Sequence, residues 1–163
     1  MTKPNDFSRA LKTTRVYEGG WSNTPADPGG ATMYGVTQAV FWHYLSDHGQ
    51  ALRSVWTITG AELHDIYQAR CWDPVTAGRS WPLNAVLFDV AVNSGVGTAL
   101  WMLEQAKNQV PLSTPNRMKA LALEVCDVRE KFFRQLVKCC PTSLIFLKGW
   151  LRRVNEQRAL CST

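Results

Sequence analysis

Apolar residues return along this chain at intervals of three and four over most of its length, the spacing of helices that each bury one face. Asp6 can cap a first helix with apolar positions Phe7, Ala10, Leu11 and, less regularly, Val16 and Tyr17. Gly19-Gly20 then stops it, because glycine enters the left-handed conformation at little cost. Residues 21–36 carry prolines, glycines and short polar side chains instead, and read as turns with short strands. Thr37 is placed to cap a helix from residue 38 to about 48, closed by Gly49. Thr59 and Glu62 have capping-box spacing and predict a helix over 60–71, which Trp72-Asp73-Pro74 should end.

Pro82 suits the first turn of the next helix, with Leu83, Val86, Leu87, Val90 and Ala91 as its buried stripe and Gly95 and Gly97 as its stop. A further helix is expected over 98–109. Thr114-Pro115 opens a long one, with Met118, Leu121, Val125, Val128, Phe132 and Leu136 at helical spacing. Pro141 breaks the pattern, and Thr142 caps a last helix to about residue 160. Gly149 inside that helix costs about 1 kcal/mol relative to alanine, which suggests close packing there. No internal repeat, linker or low-complexity tract interrupts the chain. The expected fold class is mainly α (α+β), with a small N-terminal β-hairpin or irregular lobe. The 163 residues make one domain, in which residues 1–95 carry the chemical motifs and 96–163 form a helical C-terminal part.

Composition narrows the classes of function. An apolar share of 45% and a charged share of 19% suit an ordered globular chain. A net charge of +5 points to an anionic partner, for which membrane lipid and cell-wall polymers are candidates. Nucleic acid is not supported, since neither zinc-finger spacing nor a ribonucleoprotein aromatic motif occurs. Seven tryptophans include more than a core needs, and indole faces suit sugar rings. Five cysteines, two of them adjacent and none in a C-x-x-C pair, read as reduced thiols of a cytosolic setting. His43, His48 and His64 lack a metal-binding spacing, so no metal or cofactor is expected. The N-terminus lacks a signal-peptide core and no apolar run approaches the ~20 residues of a membrane span. The chain is therefore expected to be made in the cytoplasm and to act elsewhere only after release by another agent.

The stretch Tyr17-Glu-Gly-Gly-Trp-Ser-Asn-Thr-Pro-Ala-Asp-Pro-Gly-Gly-Ala-Thr-Met-Tyr-Gly-Val-Thr37 holds the candidate chemistry. Glu18 falls where a helix should end. There the negative end of the helix dipole and the apolar surfaces of Tyr17 and Trp21 both disfavour a charged carboxyl, as a general acid requires. Asp27 lies among possible N–H donors and should stay ionised, and Thr32 can help hold a water. Two carboxyls pushed toward opposite protonation states form the acid/base pattern of glycoside hydrolysis. On spacing alone, a solvated helix end followed by an ordinary Asp-Pro-Gly-Gly turn is an equal alternative. Trp21, Tyr34 and Thr37 flank this segment and can line sugar subsites or simply pack. Asp89 and Asn93, four apart, share a helix face: Asn93 can meet an N-acetyl group, or both can be internal anchors. The C-terminal cations Lys131, Arg134, Lys138, Lys148, Arg152, Arg153 and Arg158 read first as a solvated face.

Glu18-Gly-Gly, Asp27-Pro-Gly-Gly-Ala-Thr32 and Tyr34-Gly-Val-Thr37 resemble the signature of glycoside hydrolase family 108, bacterial and phage muramidases with a lysozyme-like fold. The resemblance continues through Ile66-Tyr67, Cys71-Trp72, Phe88-Asp-Val-Ala-Val-Asn-Ser-Gly95 and Phe146-Leu-Lys-Gly-Trp-Leu-Arg-Arg-Val154. It implies that Glu18 is the acid and, by similarity to phage-type lysozymes, that Asp27 and Thr32 hold the attacking water. It implies peptidoglycan glycan strands as substrate. A phage or prophage endolysin that passes the inner membrane by way of a holin would explain the missing signal peptide, and a bacterial muramidase released by a similar route fits equally well; a monomer is expected. A lytic transglycosylase using the same glutamate, and a non-catalytic wall-binding protein, are the rival expectations.

Overall fold

The computed structural model describes residues 5–23 and 30–162. Eight α-helices are found among them: α1 (Asp6–Thr14), α2 (Gln38–Asp47), α3 (Gly60–Tyr67), α4 (Asp73–Thr76), α5 (Leu83–Ser94), α6 (Val96–Gln109), α7 (Arg117–Cys139) and α8 (Leu144–Leu160). Between α1 and α2 lies a small sheet of β1 (Trp21–Ser22), β2 (Thr32–Met33) and β3 (Val36–Thr37), antiparallel in that order. Trp21 pairs with Met33, and Met33 with Val36. The fold is mainly helical and lysozyme-like, with the expected small β element.

The centre of the molecule is α5, and its environment corrects the one-sided stripe read from the sequence. Every residue from Leu83 to Ala91 is buried. Val86, Leu87 and Val90 face a core formed with α6, α7 and α8. Ala85 and Phe88 face a second core with Phe7, Phe41, Leu63 and Trp72. A helix between two cores has no solvent face to pattern, so its sequence shows no clean amphipathic period.

Several element ends differ from expectation. The first helix closes as a 3₁₀ turn, Arg15–Tyr17, rather than on Gly19-Gly20, neither of which has a positive φ. Val16 is exposed. The 60–71 helix stops at Tyr67, but the chain does not leave helical geometry: a π-helical turn, Gln68–Trp72, leads into α4 with Pro74 in its first turn. Pro74, which has no N–H to donate, comes immediately after Asp73, whose N–H donates to Gln68 O in the π-helical pattern. In α7 the buried stripe is Leu121, Ala122, Val125, Cys126, Arg129 and Phe133, rotated from the expected one so that Met118, Val128 and Phe132 are only partly covered. A 3₁₀ turn, Pro141–Ser143, precedes α8, whose N-cap is Ser143 without a side-chain bond. Gly149 meets nothing within 4 Å of an added Cβ, so close packing is not its reason.

Several predicted helix ends are present. Thr37 Oγ1 accepts from Val40 N at 3.3 Å and caps α2, Gly49 follows its end with φ +63°, and Thr59 with Glu62 forms the reciprocal capping box of α3. All five cysteines are unpaired thiols. No described helix is long and apolar enough to cross a membrane.

Candidate active site

Glu18 enters the site from the 3₁₀ turn. Its N–H donates to Arg15 O at 3.2 Å, and its own backbone is extended, φ −82° and ψ 127°. The side chain therefore leaves the α1 axis just beyond its end, not within its last turn as the sequence suggested. It reaches a hollow of about 120 Å³ lined also by Gly35, Val36, Tyr67, Arg70 and Cys71, with Val40, Ile66 and Val92 as apolar wall.

The β2–β3 turn closes one side of this hollow. Met33 and Val36 pair across the two residues Tyr34 and Gly35, which have φ of +50° and +74°. That is a type I′ turn, whose twist matches that of the flanking strands. Gly35 is needed twice over. Its φ suits glycine, and a Cβ there would lie 2.7 Å from Glu18 Oε2 and 2.9 Å from Tyr67 Oη. Tyr67 donates its hydroxyl hydrogen to Tyr34 O at 2.6 Å, which ties α3 to the turn.

Behind Glu18 lies a buried ionic array. Asp89 on α5 is fully buried and accepts from Arg129 Nη1 at 2.7 Å, from Arg153 Nε at 2.9 Å and from Thr14 Oγ1 at 3.0 Å. Arg153 turns its two remaining nitrogens to Glu18 Oε1, both at 3.3 Å, and its guanidinium covers the Tyr17 ring at 4.8 Å. Burial raises the Glu18 pKa above the ordinary glutamate value; Arg153 opposes this and Asp89 adds to it. Burial also disfavours charge on Asp89, but Arg129 and Arg153 outweigh it and hold its carboxyl below the usual range. Burial and then the nearby Glu18 push the Tyr67 hydroxyl well up, and burial takes the Cys71 thiol to about 11, so neither ionises near neutral pH.

The structure gathers the sequence candidates unevenly. Glu18 is in the hollow. Thr32 is on β2, paired with Ser22 and Thr37, and does not line it. Asp27 lies outside the described residues. Trp21 is 40% exposed on β1, its ring edge-to-face with Trp56 at 5.2 Å. Tyr34 has its ring under the Arg15 guanidinium at 5.1 Å, and Thr37 spends its hydroxyl on the α2 cap. Asn93 is exposed, with Oδ1 accepting from Arg129 Nη2 at 2.9 Å. Among the described residues no group of three or more histidine, cysteine or acidic side chains is arranged to hold a metal.

The sequence model of the family described as Glycosyl hydrolase 108 matches residues 11–95, just over half of the chain, from within α1 to the end of α5. The chain belongs to glycosyl hydrolase family 108. It is accordingly a glycoside hydrolase. Among solved structures, this family 108 hydrolase is similar to Brucella abortus SagA, at 25% identity and a TM-score of 0.71 over 98% of this chain and 95% of that one. No curated protein matches it.

Sequence reasoning missed three residues of the hydrolase's site. In the sequence Arg153 reads as part of a solvated basic face, yet it is 5% exposed and bonded to Glu18. Its neighbour Arg152 is the exposed member of the pair, and helical phase alone could have separated them: Arg153 shares the buried side of α8 with Val154 and Gln157. Tyr67 and Gly35 lie in Ile66-Tyr67 and Tyr34-Gly-Val-Thr37, where the sequence alone gives neither a role. The Tyr-Gly pair between alternating strand residues was the available signal for the turn that places both.

Proposed function

We propose that this hydrolase is a muramidase that cleaves the β-1,4 bond between N-acetylmuramic acid and N-acetylglucosamine in peptidoglycan. Glu18 protonates the leaving oxygen, and Asp27, assisted by Thr32, orients or activates the attacking water. The observation that carries the reading is Glu18 itself. In a glycoside hydrolase, a carboxyl whose pKa burial raises above the ordinary glutamate value, and which lines an open hollow, has the properties of a general acid. Asp27 and Thr32 take their roles from the motif that contains them. Trp21, with Trp56, offers an aromatic platform for a sugar ring, and the exposed Asn93 a polar contact; Tyr34 and Thr37 shape the turn beside the acid.

We place the protein as a phage or prophage endolysin acting as a monomer on the wall after holin-dependent release from the cytoplasm. Its positive charge supports a weak attraction to anionic wall polymers or lipid, which added salt would screen.

The Glu18→Gln variant with product analysis tests the reading. The substitution should lower kcat by about 10²–10⁴ while far-ultraviolet circular dichroism stays that of the wild type. Wild-type digests of sacculi should carry reducing ends by mass spectrometry. Predominant 1,6-anhydro ends would make the chain a lytic transglycosylase, and binding of sacculi without any cleavage would make it a wall-binding module.

A further inference from the structure

Within the site so described, the C-terminal helix makes one contact whose chemistry goes beyond the assignment of the acid. Arg153 on α8 has three nitrogens, and all are used in one direction each: Nε to Asp89, Nη1 and Nη2 to Glu18. Both bonds from Arg153 to Glu18 go to Oε1, and neither goes to Oε2. Oε2 is the oxygen beside the empty side of Gly35. A protonated carboxyl has one oxygen that only accepts and one that carries hydrogen. A guanidinium can only donate. Two arginine donors on Oε1 therefore make it the accepting oxygen and leave the hydrogen on Oε2, which faces the Gly35 side of the hollow.

The charges point the same way. The buried array has two guanidiniums, Arg129 and Arg153, against one firmly ionised carboxylate, Asp89. With Glu18 protonated the array carries a surplus positive charge. When the proton passes from Oε2 to the glycosidic oxygen and the C–O bond breaks, Glu18 becomes a carboxylate and the surplus is cancelled. Burial alone disfavours the carboxylate that proton donation leaves behind. A guanidinium already in place compensates the charge that donation creates, without reorganisation at the moment of reaction.

We propose that Arg153, clamped by Asp89, is a positioning residue for the hydrolysis: it orients the Glu18 carboxyl with its proton on Oε2 and receives the carboxylate that proton transfer leaves. This rests on Glu18 as the acid. Among the described residues, the other titratable or charged groups facing Glu18 are Asp89 from α5, Tyr67 from α3, and Arg70 and Cys71 from the π-helical turn; α2 and β3 contribute the apolar Val40 and Val36.

The test compares Arg153→Met and Arg153→Lys in the full chain. It reads kcat and KM against pH, and the Glu18 carboxyl titration by carbon NMR, its signal assigned by its loss in Glu18→Gln. Removing the cation in Arg153→Met should move the Glu18 titration and the alkaline limb of kcat to higher pH. It should lower kcat by roughly 10- to 100-fold through lost orientation, with KM little changed. Lysine keeps the charge but has a single ammonium to divide between Asp89 and Glu18, so its effects should run in the same direction and be smaller. Should the methionine variant fail to fold, the lysine variant carries the test. A folded variant whose Glu18 titrates as in the wild type overturns the proposal, whether kcat is unchanged or has fallen as it would for a merely structural residue. If the titration moves but the wild type cleaves no glycan, the muramidase reading fails and the coupling of Arg153 to Glu18 stands.

Discussion

Two carboxyls share one guanidinium in this molecule, yet burial and their unequal sets of partners give them opposite dependence on pH. Asp89 has Arg129, Thr14 and the Nε of Arg153, no solvent, and a carboxyl held below its usual range. Its contribution to stability is complete above the ordinary aspartate range and is lost as pH falls through its lower folded value. Glu18 has only the two longer bonds from Arg153, and burial raises it. Ionising Glu18 therefore costs folded stability, a cost absent below the ordinary glutamate range and growing as pH rises through its folded value. Asp89→Asn would leave both arginines short of a counter-charge in the interior. We expect it to cost about 3–5 kcal/mol at neutral pH, as for other buried pairs deprived of one partner. Urea unfolding at neutral and acid pH checks this: the gap between variant and wild type should narrow in acid, and a neutral-pH cost below about 1 kcal/mol would show that Asp89 does not hold the array together.

At the scale of elements, the β2–β3 turn links the sheet to the acid. Gly35→Ala places a methyl group at a φ of +74° and against both Glu18 and Tyr67. Strain in the left-handed region alone costs about 1–2 kcal/mol, and the carboxyl must also shift. A loss of activity much larger than the loss of stability is the expected signature, on the order of 100-fold in kcat for an ångström of displacement. Equal, small losses in thermal unfolding and kinetic assays would separate the turn from the acid. Caps of this kind of local logic were legible in the sequence: Thr37, Thr59 with Glu62, and Gly95 all mark ends where a single side chain or a single φ decides. Ends decided by packing were not. The passage through Pro74 depends on a π-helical turn, and the stripe of α7 is rotated to bring Arg129 inward to Asp89. A charged residue on a buried face breaks the apolar period from which the face is read. For the same reason Glu18 could be found from its motif, whereas Arg153, 135 residues away in sequence, could not be joined to it.

The whole molecule explains why the segment that identifies the family is not a sufficient site. The matched residues end at Gly95, where α5 ends. Yet Val86, Leu87 and Val90 on that helix are covered by α6, α7 and α8, and both cations of Asp89 come from α7 and α8. A chain cut after Gly95 would expose several side chains whose burial is worth roughly 1.5–3 kcal/mol each, against a total stability of about 5–15 kcal/mol for ordinary domains. It would also strip Asp89 of both its cations. The fragment 1–95 should therefore show no cooperative thermal transition and no lytic activity. Fluorescence melting and the lysis assay read both outcomes, and a folded, lytic fragment would show that the C-terminal helices are an accessory. Supplying α6 to α8 as a separate chain should restore activity only if they dock on α5, since that docking brings Arg153 to Glu18 and Arg129 to Asp89 at once.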